Sequence, residues 1–353
     1  MALYNKIDKK VLKERLMAEP FHRKTLSFYR YVIINDVEDT RDALYKMWDE
    51  LGVFGRIYIA REGINAQLSV PEANFEAFKT GLYADHRFTD VPFKIAVEDD
   101  GKSFYKLIVR VKQHIVADGL PQDAFDVTNV GKHLDAIEFN KALENPDAIV
   151  VDMRNPSESE VGHFEGAILP DADTFKDELP MVVEMLKDKK DKPVLMYCTG
   201  GIRCEKASAY LKHHGFENVS QLHGGIIEYA RQVKAEGLEN KFKGKNFVFD
   251  ERLGERISDE IVSKCHQCGE LCDNHTNCAN FDCHLLFIQC EDCAKAFEGC
   301  CSVACKDIIN MPIEQQRLLR KGKAKEGDQR NVYKKGRLRP KLNENFNLAD
   351  NNG

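Results

Sequence analysis

"PVLMYCTGGIRCEKASAYL", residues 193–211, places an apolar run, a loop with two glycines and a helix-forming run in direct succession. The run "PVLMY" is short and does not alternate with polar residues, as expected of a parallel strand covered on both faces. The following "RCEKASAYLKHHG" reads as a helix. A strand passing through a tight loop into a helix is the repeating unit of α/β domains. The loop at the C-terminal end of such a strand is where these domains place their chemistry.

In "CTGGIR", Cys198 opens the loop and Arg203 closes it. Between them Thr199, Gly200, Gly201 and Ile202 offer consecutive backbone N–H groups. The two glycines let those groups converge, and the next helix adds its positive N-terminal end. An anion at the centre is stabilised, and for Cys198 that anion is its own thiolate. Arg203 adds a fixed positive charge and a fork of donors for an anionic substrate. A merely structural cysteine at a strand end needs neither the paired glycines nor the arginine. Cys204 is expected to be a buried helix cysteine rather than a resolving thiol, since adjacency in sequence does not establish sulfur-to-sulfur reach.

Working outward, the strand "AIVVDMR", a helix near "TFKDELPMVVEML" and the strand "NVSQL" flank this unit, which predicts a doubly covered α/β domain over residues 121–243. Asp152 and Arg154, at the end of "AIVVDMR", are expected to brace the loop, and His163 to fix a turn. "GLPQDAFDVTNVGKHLDA" reads as the bridge from a preceding domain, residues 1–120. There "TLSFYRYVII", the Asp-capped helix ending at Gly52, "FGRIYIA", "NAQLSVP", a second helix and the strands "PFKIAVE" and "KLIVRVK" follow one another. The order β-α-β-β-α-β is that of a ferredoxin-like sandwich, and Gly63 supplies the positive φ of the "REG" turn. Arg56, Arg61, Lys106, Arg110 and Lys112 read as lysines and arginines protecting a sheet edge more readily than as an RNA-binding face.

Of 12 cysteines, ten fall between Cys265 and Cys305, which marks a separate module over residues 244–310. No run of about 18 apolar residues is present, and the charged N-terminus lacks the apolar core of a secretory signal. The expected location is therefore the cytoplasm, with no membrane partner, where disulfides are disfavoured and cysteines serve metals or catalysis. Cys265 and Cys268, with Cys290 and Cys293, form two CxxC knuckles. Cys278, Cys283, Cys301 and Cys305 supply a second set of four. Either the two knuckles share one ion or ligands pair consecutively along the chain; Cys272, Cys300, His275 and His284 stand as spares. Structural zinc is favoured over an iron–sulfur cluster, because paired knuckles are its common signature.

The net charge of −6 argues against a wholly basic nucleic-acid binder. Residues 311–353 nonetheless form a basic tail in which Arg320, Lys321, Lys323, Lys334, Lys335, Arg337 and Arg339 are candidate RNA contacts. A solvated tail is the alternative.

The stretch "VDMRNPSESEVGHFEGA" resembles the first signature of the rhodanese family, and "GFENVSQLHGGIIEY" its closing signature. A loop of six residues from cysteine to arginine resembles the sulfurtransferase type. Together with "GRIYIAREGIN" and the cysteine-rich "CHQCGELCDNHTNC", the chain resembles, over nearly all of its length, the bacterial rhodanese-type tRNA uridine hydroxylases. That resemblance implies an acylphosphatase-like first domain and a tRNA partner, with no DNA. It also implies oxygen-dependent conversion of uridine 34 to 5-hydroxyuridine, with molecular oxygen as co-substrate and Cys198 as the essential residue. A sulfurtransferase carrying a persulfide on Cys198 and a non-enzymatic RNA-binding scaffold are the competing expectations.

Overall fold

The computed structural model describes residues 7–96, 101–121, 124–250 and 252–323. In the first domain α1 (Lys9–Met17), β1 (Arg23–Tyr31), α2 (Val37–Glu50), β2 (Phe54–Ala60), β3 (Gly63–Pro71), α3 (Phe75–Tyr83), β4 (Lys94–Ile95) and β5 (Leu107–Val111) succeed one another. The sheet order β4-β1-β3-β2-β5 is the predicted sandwich with one strand added: β5 lies parallel to β2 at the edge. "PFKIAVE" contributes only the two residues of β4, paired antiparallel to Leu26 and Ser27 of β1. Short as it is, β4 places Lys94. The core under the sheet gathers Trp48, Phe28, Phe78 and Phe88, all fully buried.

The β2–β3 hairpin turns through Arg61 and Glu62 and enters β3 at Gly63, whose φ is +145°. A Cβ there would stand 1.9 Å from the Arg30 carbonyl oxygen on the facing strand. Gly63→Ala is thus expected to lower stability by on the order of 3 kcal/mol, since backbone on a central strand must yield. Thermal unfolding checks it; an unchanged Tm would show that the hairpin relaxes freely. The expected cap Asp36 makes no capping bond to α2. Its carboxylate instead accepts from Arg87 Nη1 at 2.5 Å.

The second domain comprises β6 (Lys132–Leu134), α4 (Ala136–Leu143), β7 (Ile149–Asp152), α5 (Pro156–Ser159), β8 (Gly162–Phe164), α6 (Phe175–Met185), β9 (Val194–Tyr197), α7 (Ile202–His213), β10 (Val219–Leu222) and α8 (Gly225–Glu236). Its parallel sheet has the order β6-β10-β9-β7. All four residues of β9 are buried, as the unbroken apolar run predicts. One face packs Phe175, Leu179, Val182 and Leu211 of α6 and α7; the other packs Phe139, Ile226 and Tyr229 of α4 and α8. The stretch read as a bridge holds β6, and α4 opens just after it on a capping box between Asp135 and Glu138.

Both domains fall in one compact unit, whose larger segments are Met1–Ser159, Phe164–Phe242 and Asn246–Ile257. Inside it Lys206 of α7, 2% exposed, donates to Asp118 and, at 2.9 Å, to Glu62 of the first domain's hairpin turn.

The second unit takes in Ser258 onward together with Glu160–His163 and Lys243–Lys245. After β11 (Phe242–Asn246) and β12 (Glu255–Arg256), it contains β13 (His275–Asn277), β14 (Leu286–Ile288), α9 (Glu291–Phe297), α10 (Val303–Ile309) and α11 (Ile313–Lys323). Its hydrophobic cluster consists of Leu285, Phe287, Cys278, Cys300, Cys301 and Cys305. So few aliphatic side chains make a poor core by burial alone. Of the basic candidates, Arg320, Lys321 and Lys323 fall in the last turn of α11, while Lys334, Lys335, Arg337 and Arg339 lie outside the described residues.

Candidate active site and metal centre

The loop from Cys198 to Arg203 joins β9 to α7, with Gly201 at the helix N-cap. Its curl is fixed from behind by α8: Ile226 N–H donates to the Cys198 carbonyl at 3.0 Å and Ile227 N–H to that of Thr199 at 3.2 Å. With those carbonyls turned toward α8, N–H groups are left for the sulfur. A Cβ on Gly225 would lie 2.6 Å from both carbonyl oxygens, so only glycine permits this approach. The "HGG" of the closing signature is thereby a structural part of the loop.

Cys198 is 1% exposed, and its Sγ accepts from Gly201 N–H at 3.1 Å. Burial pushes the thiol pKa up. The opposing effects win: the Cys204 thiol donates to it, Arg203 brings its charge, and the N–H groups of Cys204 and Arg203 donate as well, so the pKa falls to about 5. Cys198 is therefore a thiolate at neutral pH. Cys204 is fully buried, as expected, and burial first, then its hydrogen bond to Cys198, pushes its own pKa well up. It is a hydrogen-bond donor to the thiolate.

The expectation that the Arg203 fork awaits a substrate is corrected. Nη1 and Nη2 each donate to Glu158 at 2.7 Å, and Glu158 is fully buried on α5. Thr199 Oγ1 also donates to Glu158 at 3.3 Å. Satisfying a buried carboxylate consumes the bidentate geometry, and what reaches Cys198 is the charge. Asp152 and Arg154 form their own fully buried pair at 2.6 and 2.8 Å. They brace the strand end: Asp152 is in register with Tyr197, and Arg154 stands 5.7 Å from that ring. His163 lies in β8. Glu178 of α6, which the sequence reading did not single out, is buried with neither oxygen hydrogen-bonded, and burial raises its pKa well above the carboxylate range.

On its other side the loop meets the first domain. Thr199, Gly200 and Ile202 line a cavity of about 90 Å³ with Tyr29, Lys94, Asn65, Gln67 and Phe104, and with Asp250, Arg252 and Glu255. Tyr29 Oη donates to Glu205 of α7 at 3.0 Å, and Glu205 also meets His133 at 2.9 Å and Gln221 at 3.1 Å. Neither Tyr29 nor Lys94 carries a motif that would single it out; both come from strands more than 100 residues upstream of the loop. Of the basic candidates in this domain, Arg56 donates to the Phe249 carbonyl at 3.1 Å, Lys106 is half-buried, and Arg61, Arg110 and Lys112 are exposed. Arg110 lies on the edge strand β5, consistent with edge protection.

In the second unit the eight predicted cysteines converge in two sets: Cys265, Cys268, Cys290 and Cys293, and Cys278, Cys283, Cys301 and Cys305. Within each set all sulfurs lie within 4.8 Å of one another. The knuckles thus share one site, and consecutive pairing is excluded. Cys272, Cys300, His275 and His284 stay outside both sets. Glu160 meets His266 at 3.1 Å and His275 at 3.7 Å.

Residues 23–115 match the UPF0176 acylphosphatase like domain, residues 135–232 the rhodanese-like domain and residues 243–306 the rhodanase C-terminal domain. A tRNA uridine(34) hydroxylase of Leptospira interrogans is 58% identical over 97% of this chain and 92% of its own length. The corresponding proteins of Pectobacterium atrosepticum and Salmonella arizonae are 56% and 54% identical, over 91% and 96% of the chain and 91% and 97% of their own lengths. The chain belongs to the tRNA uridine(34) hydroxylase family. Membership unites the three segments in one protein. The rhodanese-like match covers β9, the loop from Cys198 to Arg203, α7, β10 and the first two turns of α8.

Proposed function

We propose that this chain hydroxylates uridine 34 of tRNA anticodons to 5-hydroxyuridine in the cytoplasm, with molecular oxygen as co-substrate. The observation that carries the reading is the Cys198 thiolate, held at a pKa of about 5 beside a cavity, in a chain of this family. A thiolate adding to C6 of uracil makes C5 electron-rich, which is the polarity that oxygenation at C5 requires; once C5 carries oxygen, loss of its proton re-forms the C5–C6 double bond and expels Cys198. Unpaired anticodon bases can be splayed out for such chemistry. Nucleoside mass spectrometry of tRNA from cells with and without the gene tests the reading. Loss of 5-hydroxyuridine with the gene, and its return with the wild-type copy, is expected. Unchanged 5-hydroxyuridine alongside loss of a thiolated nucleoside would replace it by sulfur transfer.

Each four-cysteine set fits one zinc ion. A tetrahedron with Zn–S bonds of about 2.3 Å has edges of about 3.8 Å. The sulfurs of Cys268 and Cys290 are 3.5 Å apart, those of Cys283 and Cys301 3.6 Å, and those of Cys301 and Cys305 3.8 Å. An iron–sulfur cluster, whose irons stand apart, spreads its thiolates more widely. Zinc would supply folding energy here.

The basic tail is the proposed tRNA-holding arm, through counterion release. Deleting residues 317–353 removes eleven Lys or Arg between Arg317 and Lys341. The truncated protein is expected to bind tRNA at least tenfold more weakly at low salt, with a flatter salt dependence and unchanged alkylation of Cys198. Equal affinity and slope would return RNA capture to the first domain.

A further inference from the structure

Lys94 is a buried charge that the site as described does not use. It is 6% exposed, and among the described residues its Nζ has no hydrogen bond and no carboxylate within 4.0 Å. Its nearest support is the Tyr29 ring, 4.2 Å from Nζ to centroid. Burying an ammonium without a hydrogen-bonded counter-ion is costly, and a structural lysine there would be closely paired or replaced by an apolar residue. The side chain crosses the catalytic loop: Cδ lies 3.8 Å from where a Cβ on Gly200 would be, and Cε 3.7 Å from one on Gly224. It lines the cavity together with Thr199, Gly200 and Ile202. A buried ammonium with no hydrogen bond among the described residues thus lies against the loop of a thiolate whose charge it feels and whose residue is 1% exposed. A base reaching Cys198 must displace this side chain and then lies against its charge.

We propose that Lys94, supplied by the first domain, is a catalytic residue whose ammonium receives the C4 carbonyl oxygen of uracil while Cys198 attacks C6. The inference rests on the uridine-hydroxylation reading above. In the step, the Sγ–C6 bond forms and the C5–C6 π pair moves through C4 onto O4. The enolate charge lies on the oxygen beside Lys94, and no group is oxidised. Return of the pair expels the thiolate. An ammonium already stripped of water is the form of donor that stabilises such developing charge best. The groups facing Lys94 are Cys198, Glu205 of α7, Glu228 of α8 and Tyr29 of β1. Across the cavity, Arg252 is paired with Asp250 and Glu255. Burial, opposed by those anions, lowers the Lys94 pKa to about 8, so thiolate and ammonium coexist between about pH 5 and 8.

The test uses the full chain, anaerobically, with tRNA carrying 5-fluorouridine at position 34, whose fluorine makes C6 more electrophilic, and follows formation of the reversible C6–S adduct by loss of the ring's ultraviolet absorbance. Lys94→Met should slow adduct formation about 100-fold, while tRNA binding and iodoacetamide alkylation of Cys198 stay within a few-fold of wild type. Lys94→Arg should keep most of the rate and lose the decline that wild type shows as pH rises through about 8. Adduct formation by Lys94→Met at the wild-type rate, or an unmoved alkaline decline in Lys94→Arg, overturns the assignment alone. Wild-type protein that leaves uridine 34 unmodified overturns the parent reading, and the assignment with it.

Discussion

Cys198→Ser is expected to abolish hydroxylation of uridine 34, by more than about a thousandfold, with tRNA affinity unchanged. A serine hydroxyl in the same cradle is not ionised at neutral pH, so the N–H groups have no anion to hold. In wild type, alkylation of Cys198 should be flat above about pH 6 and fall tenfold per unit below about 5, the pKa at which the thiolate takes up its proton. The folded pKa lies below the unfolded value of about 8.5. The thiolate's stabilisation is therefore complete above pH 8.5 and lost as pH falls through about 5. The stability gap between wild type and Cys198→Ala should narrow over that interval. An alkylation midpoint near 8.5, or full activity in the serine variant, would remove Cys198 from the chemistry.

The second large effect concerns the metal sites. Stripping the proposed ions should unfold the segment from Cys265 to Cys305, since zinc binding to such sites is worth on the order of 10 kcal/mol and the buried aliphatic and aromatic side chains there are few, chiefly Leu285, Leu286, Phe287 and Ile288. Among the described residues, Leu285 and Phe287 are the buried members of its hydrophobic cluster besides cysteines, with Ile309 packed against it. The two sets interleave: Cys278 and Cys283 lie inside the loop that the first set closes, and Cys290 and Cys293 inside the loop closed by the second. Cys290→Ser should then cost more than one ion's occupancy. Elemental analysis should give two metal ions per wild-type chain and fewer than one in the variant, with rapid proteolysis of the segment after chelation. Metal-free protein that resists protease would overturn the claim.

The parts of this molecule legible in sequence were those specified by near neighbours. The unbroken "VLMY" run marked a buried parallel strand, the glycine-bearing loop marked the thiolate cradle, and CxxC spacing marked Cys265, Cys268, Cys290 and Cys293, which converge. What was not legible depends on partners far along the chain. Tyr29 meets Glu205 across 176 positions, and Lys94 reaches the loop from a strand of only two residues. The fork of Arg203 was misread because Glu158 stood 45 positions upstream in a motif that gave no distance. The capping box of Asp135 and Glu138 was local and available, but it lay in a stretch rich in turn-formers that read as linker.

The ion group around Lys206 bears on how such a protein can change over generations. Its amine stands three residues beyond Arg203, yet its carboxylates belong to the hairpin turn of the first domain and to the segment after β5. A recombination event that kept this rhodanese-like segment and exchanged its upstream neighbour would strand a buried ammonium on the helix that carries the active loop, at a penalty of about 3–5 kcal/mol. Two segments that match separate families are in this respect one heritable part, and are expected to be gained, lost and transferred together.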